Sequence, residues 1–135
     1  MFIQIEPANG LAIYDQVVRQ FKFAVADTSL RPGERVPSVR DLAKQLAINP
    51  NTVARAYRQL QDDGVLETIR GLGLQVTSQA LDHCRAERVQ LIQQRLRNAL
   101  GEALQSGLTG QEIQQLVSAE LTSLESVSSQ SERQS

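Results

Sequence analysis

Asn51, Thr52 and Arg55 lie within about one helical turn of each other, directly after Asn49-Pro50. These side chains suit the recognition of base edges. Asn can pair with adenine N6 and N7, Thr can touch a thymine methyl, and Arg can donate two bonds to guanine O6 and N7. Arg58, further along the same segment, suits phosphate or solvent. Arg40, just after Ser38, can reach a phosphate or a base edge, and Arg70 beside Gly71 can enter a minor groove or touch its backbone. Each has a plainer reading: a surface ion pair of Arg40 with Asp41 or Glu34, ordinary first-turn polarity at Asn51 and Thr52, and simple turn polarity at Arg70. Their grouping around one short segment favours nucleic-acid contact.

The elements that must hold these residues are legible. Residues 38–60, SVRDLAKQLAINPNTVARAYRQL, read as two short helices joined by a tight turn. Ser38 is placed to cap the first helix, with Asp41 three residues on to answer it. Val39, Leu42, Ala43 and Leu46 form its buried stripe, and Ala47-Ile48 is the turn. Asn49 caps the second helix, and Pro50 at its first position needs no N–H. Val53, Ala56, Tyr57 and Leu60 face inward there, which leaves Asn51, Thr52, Arg55, Arg58 and Gln59 outward. Gly64 is the expected left-handed cap. Residues 66–68 and 74–76 follow as the two strands of a hairpin tipped by Arg70-Gly71-Leu72-Gly73. Helix-turn-helix plus hairpin is the layout of a winged helix, which presents its second helix to the DNA major groove.

Upstream, residues 11–27 carry apolar positions at Tyr14, Val17, Val18, Phe21 and Val25, the spacing of an amphipathic helix. Residues 2–5 predict a short strand ended by Pro7, residues 30–34 a turn, and residues 35–37 an extended segment. Downstream, one long helical pattern runs from residue 81 to about 105 through interior Gly101. It carries Val89, Ile92, Leu96, Leu100 and Leu104. Thr109 and Glu112 form a capping box for a last helix with Ile113, Leu116, Val117, Leu121 and Leu124 on one face. A helix of about 25 residues spans roughly 37 Å, longer than a small domain is wide. Two such stripes cannot bury each other as an isolated hairpin, so pairing with a second copy is expected. The dimerisation residues are Val89, Ile92, Leu96, Leu100, Leu104, Leu116 and Leu121.

The expected fold class is mainly α with a small β-hairpin. A winged-helix domain spans 1–77, a two-helix dimerisation segment 78–125 and a disordered tail 126–135. With 14 Lys/Arg against 15 Asp/Glu, the chain lacks the basic excess usual for a nucleic-acid binder. Residues 1–76 hold nine basic and eight acidic residues, and 77–135 hold five and seven, so the balance is +1 and then −2. Placement outweighs the total, because only cations that face phosphate release counterions. The start MFIQIEP lacks the pattern of a signal peptide, and no apolar run suits a membrane span, so a cytoplasmic protein is expected. The single Cys84 excludes an internal disulfide. Beside His83 it reads as part of a dimer seam rather than a metal or redox site. No nucleophile–base pair stands out. The expectation is no enzyme, no cofactor and no metal.

The residues also carry a family resemblance. Pro37-Ser38-x-Arg40-x-Leu42-Ala43, Asn49-Pro50-Asn51-Thr52-Val53, Gly64-x-Leu66, and Gly71-x-Gly73 with Val76 resemble the GntR family of bacterial transcription regulators. Asn-Pro-Asn-Thr-Val with a two-helix tail of this length looks like the YtrA subfamily. The resemblance implies a winged-helix repressor that binds double-stranded palindromic operators as a homodimer, often at transporter operons. It implies DNA contacts at Arg40, at Asn49, Asn51 and Thr52, and at Arg70 and Gly71; with Ser38, Arg55 and Arg58 these make the expected DNA-binding set. Pro50 and Ala54 stand where many members have arginines, which shifts the basic role to Arg55. Ala47 stands where the turn usually has Gly. The tail leaves little room for a separate ligand-binding domain, although a small-molecule effector between the dimer helices stays open. The alternative is a winged helix that serves as a protein-interaction module without binding DNA.

Overall fold

The computed structural model describes residues 3–6 and 10–134. Its elements are α1 (Ile13–Ala26), α2 (Val39–Leu46), α3 (Pro50–Asp62), β1 (Leu66–Ile69), β2 (Gly73–Val76), α4 (Ala80–Gln105) and α5 (Gly110–Gln134). The chain divides into two compact units, Met1–Gln90 and Leu91–Ser135. No helix among the described residues is long and apolar enough to cross a membrane.

The first unit is built on the inner faces of α1 and α3. Val17, Phe21 and Val25 from α1 are fully buried, as are Val53, Ala56 and Leu60 from α3. Phe21 and Tyr57 meet edge-on, with ring centroids 5.6 Å apart and planes at 87°, the arrangement that aromatic quadrupoles favour. The Tyr57 hydroxyl donates to the Pro37 carbonyl at 2.7 Å, which ties α3 to the chain entering α2.

The hairpin strands each extend one residue beyond the expectation, in antiparallel register from Leu66↔Val76 to Ile69↔Gly73. Residues 33–36 lie along the other edge of β2. Gly33 N–H donates to Val76 O at 2.8 Å, Val76 N–H to Glu34 O at 2.9 Å and Val36 N–H to Leu74 O at 3.1 Å. Arg35 bridges Gln75 there. The expected extended segment therefore braces the wing. Buried Thr77 closes its base, with Oγ1 donating to Gly64 O at 2.6 Å and N–H to Val65 O at 2.9 Å.

The expected strand at 2–5 is corrected. Phe2 lies outside the described residues, as does Pro7, and Ile3–Glu6 pair with no strand. Side-chain amides take the place of a neighbouring strand. Gln20 Oε1 accepts from Gln4 N–H at 2.7 Å, and Gln20 Nε2 donates to Gln4 O. Gln16 Oε1 accepts from Glu6 N–H at 2.8 Å, and Gln16 Nε2 donates to Glu6 O at 2.9 Å. One turn of helix advances about 5.4 Å and two extended residues about 6.6 Å, close enough for two glutamines to serve alternate backbone amides. Buried Gln16 thus meets its hydrogen-bonding needs within the structure, as a buried amide must.

The seam assigned to His83 and Cys84 is also corrected. The first turns of α4 pack on the winged helix, with Ala80 and Cys84 buried in its core. His83 is exposed and its Nε2 lies 3.2 Å from Glu87 Oε1. Burial chiefly, and then the Glu87 carboxylate, push the Cys84 thiol up to about 11.

In the second unit α4 runs through Gly101 and ends at Gln105, two residues before Gly107, and the expected capping box forms. Thr109 N–H donates to Glu112 Oε1 and Glu112 N–H to Thr109 Oγ1, both at 3.2 Å. The helix α5 continues to Gln134, through the polar stretch expected to be disordered, since no Gly or Pro interrupts it. Within this unit α5 barely packs on α4. Val89, Ile92, Leu96, Leu104, Leu116 and Leu121 each leave half or more of their surface open in the single chain. Leu100 is half-buried and Ile113 is buried.

Candidate nucleic-acid interface

The turn between α2 and α3 decides how the outward residues are presented. Ile48 N–H donates to Ala43 O at 3.0 Å, and Ala47 N–H to Lys44 O at 3.3 Å. This is the two-bond helix ending that needs a left-handed residue between helix and turn. Ala47 takes that conformation, with φ 55° and ψ 46°. The end of α3 repeats the bonds, Val65 N–H to Leu60 O and Gly64 N–H to Gln61 O, with Gly64 at φ 77°. Glycine adopts that conformation freely, whereas alanine costs roughly 1 kcal/mol. The turn is formed with its strain in place.

Both helices start as the sequence specifies. Ser38 Oγ accepts from Asp41 N–H at 3.1 Å. Asn49 Oδ1 accepts from Asn51 N–H at 2.8 Å. The caps hold Arg40 in the first turn of α2 and Asn51 and Thr52 in the first turn of α3. Asn49 and Asn51 are exposed, Thr52 is half-buried, and Arg40, Arg55 and Arg58 are exposed. The ion pair considered for Arg40 with Asp41 or Glu34 does not form; among the described residues the ion pairs gather at Lys22 and His83.

Arg55 is not free-floating. Its guanidinium carbon sits 3.7 Å from the centroid of the Tyr14 ring on α1. The sequence shows Tyr14 only as one position of an amphipathic stripe. Its place beside Arg55 depends on how α1 crosses α3, which no local pattern encodes. A tyrosine at the solvent edge of that stripe is the available signal, and it is a weak one.

At the wing, Arg70, Gly71 and Leu72 are exposed and form the loop between β1 and β2. Gly71 has φ 76°, and a Cβ there would meet nothing within 4 Å. The requirement for glycine is therefore conformational, and the open space suits close approach by a nucleic-acid backbone. The first unit thus presents an exposed helix start, a capped arginine on the preceding helix and an arginine-tipped hairpin. The positions of α4 and α5 expected to serve dimerisation leave apolar surface uncovered in the single chain.

Known proteins are similar to this chain in sequence and fold. Residues 13–76 match the family described as bacterial regulatory proteins, gntR family. The HTH-type transcriptional repressor YtrA of Bacillus subtilis is 34% identical over 106 residues, covering 78% of this chain and 82% of that protein. The crystal structure of a transcriptional regulator from Oenococcus oeni superposes with a TM-score of 0.77 at 32% identity, over 89% of this chain and 99% of that one. YtrA from Sulfolobus acidocaldarius, a GntR-family transcription factor, superposes with a TM-score of 0.55 at 27% identity, over 91% and 99% of the two chains.

Proposed function

Because this chain belongs to the GntR family of bacterial transcription regulators and is YtrA-like within it, we propose that it is a repressor that binds a palindromic operator as a homodimer. The observation that carries the reading is the cluster of exposed Asn51 and Arg55 with half-buried Thr52 at the amino end of a buried-backed helix. Asn51 and Thr52 read bases, Arg55 reads a guanine or meets phosphate, and Arg40 and Arg58 hold the backbone. Ser38 and Asn49 orient the two helix starts through their caps. Arg70 and Gly71 bring the wing to the minor groove.

The near-neutral balance of residues 1–76 argues for modest affinity at each half-site. Joining two half-sites through one dimer compensates by raising the effective concentration of the second. The half-exposed leucines of α4 and α5 supply the surface for that pairing. The repressor assignment leans on the printed role of the Bacillus relative. A transporter operon as target, a cytoplasmic location and a small-molecule effector between the dimer helices belong to the same proposal. A winged helix that docks only proteins is the weaker reading, because its sole support is the acidic balance of the whole chain.

A nuclease footprint on the DNA upstream of its own gene tests this. Two symmetric protected half-sites, about one helical turn apart or a small multiple of it, are expected. Protection of a single asymmetric half-site, or none, would overturn it.

A further inference from the structure

We infer that Tyr14 is a positioning residue for base readout, a platform on α1 that holds the Arg55 guanidinium in the plane it needs before DNA arrives. The inference rests on the proposed role of Arg55 and adds a residue outside the helix-turn-helix. Arg55 is exposed, and among the described residues no carboxylate pairs with it. Its contact is the Tyr14 ring, 3.7 Å from guanidinium carbon to ring centroid. Tyr14 is half-buried and packs against the core, so the platform is anchored.

A guanidinium held over a ring stays competent to bind. A guanidinium stacks through its face, while its five N–H donors lie in its plane and point outward. Stacking and a two-bond contact to guanine O6 and N7 therefore use different parts of the group. The ring's negative face also attracts the cation, which narrows the rotamers of a long side chain in the unbound protein. Less freedom is then lost on binding. This counts most here because Pro50 and Ala54 leave Arg55 as the first cation of α3.

The test uses the full chain and two probes: a duplex selected from random-sequence DNA by the wild-type protein, and a scrambled duplex of the same composition. Arg55→Ala is expected to lower the selected-over-scrambled affinity ratio by about tenfold or more. Tyr14→Leu is expected to lower it several-fold and to relax preference at the same base position. Tyr14→Phe, which keeps the ring face, is expected to retain the wild-type ratio. Tyr14→Leu with Arg55→Ala is expected to be no worse than Arg55→Ala alone, since coupled residues are not additive. If Tyr14→Leu unfolds, seen as lost binding to both duplexes, Tyr14→Met replaces it. A Tyr14→Leu or Tyr14→Met ratio equal to or above wild type, with Arg55→Ala impaired, overturns the platform and leaves DNA reading by Arg55 intact. A wild-type ratio for Arg55→Ala overturns the reading beneath it.

Discussion

Lys22 Nζ on α1 lies 2.8 Å from Asp63 Oδ2 at the end of α3 and 3.0 Å from Glu87 Oε2 on α4. One ammonium thus clips three helices of the first unit at the end of α3 remote from its proposed recognition residues. Partial burial by itself lowers the Lys22 pKa, but hydrogen bonds to Asp63 and Glu87 and their two charges raise it above its ordinary value. Burial raises Tyr57 as well, and it raises Cys84 to about 11.

All three shifts act in the same direction with pH. A group whose folded pKa is raised contributes stability that is present below its unfolded pKa and is lost as pH climbs through the folded one. The expected outcome is a stability plateau at neutral pH and a decline that begins near pH 9, the ordinary value for Cys84, and steepens past the ordinary values for Tyr57 and Lys22. Urea unfolding at a series of alkaline pH values measures it. A flat profile to pH 11 would contradict the shifts.

Cys84 is 2% exposed and held neutral. Iodoacetamide reacts with thiolates, so the folded protein should resist alkylation at pH 8 while the urea-unfolded chain reacts readily. Mass spectrometry of both samples checks this. Prompt labelling of the folded protein would place Cys84 outside the core.

The Ala47 turn carries roughly 1 kcal/mol of left-handed strain. Ala47→Gly should therefore raise unfolding stability by up to about 1 kcal/mol, partly offset by the greater freedom of glycine in the unfolded chain. Thermal melts of the two proteins decide it, and a lower melting temperature for the glycine variant would show that the strain is absent.

Leu96 leaves 50% of its surface exposed in the single chain. Leu96→Glu should yield monomers in sedimentation runs and weaken operator binding, with the first unit still folded. An intact dimer would remove Leu96 from the pairing surface.

Arg40→Ala and Arg58→Ala should weaken binding to selected and scrambled DNA alike. Each should reduce the slope of log affinity against log salt by about 1 per half-site, as loss of one phosphate contact requires. Titration at several salt concentrations separates this from base readout, where sequence preference changes instead.

Caps, turns and helical stripes are local, and so they can be read along the chain. Ser38, Asn49 and Gly64 mark helix ends through bonds to residues within five positions, and Val53, Ala56, Tyr57 and Leu60 are inward because helical period requires it. The proposed recognition residues were legible as the outward remainder of the same helix. Contacts between distant segments emerge only once the chain is folded. Gln16 and Gln20 serve the amides of a segment 10 and 16 residues away, where a short strand was expected. Cys84 is drawn into the core because the first turns of α4 dock there. Tyr14 meets Arg55 because α1 crosses α3 with those two positions facing. Such pairings depend on interhelical geometry set by the whole core, and periodicity within one segment carries no record of its neighbour.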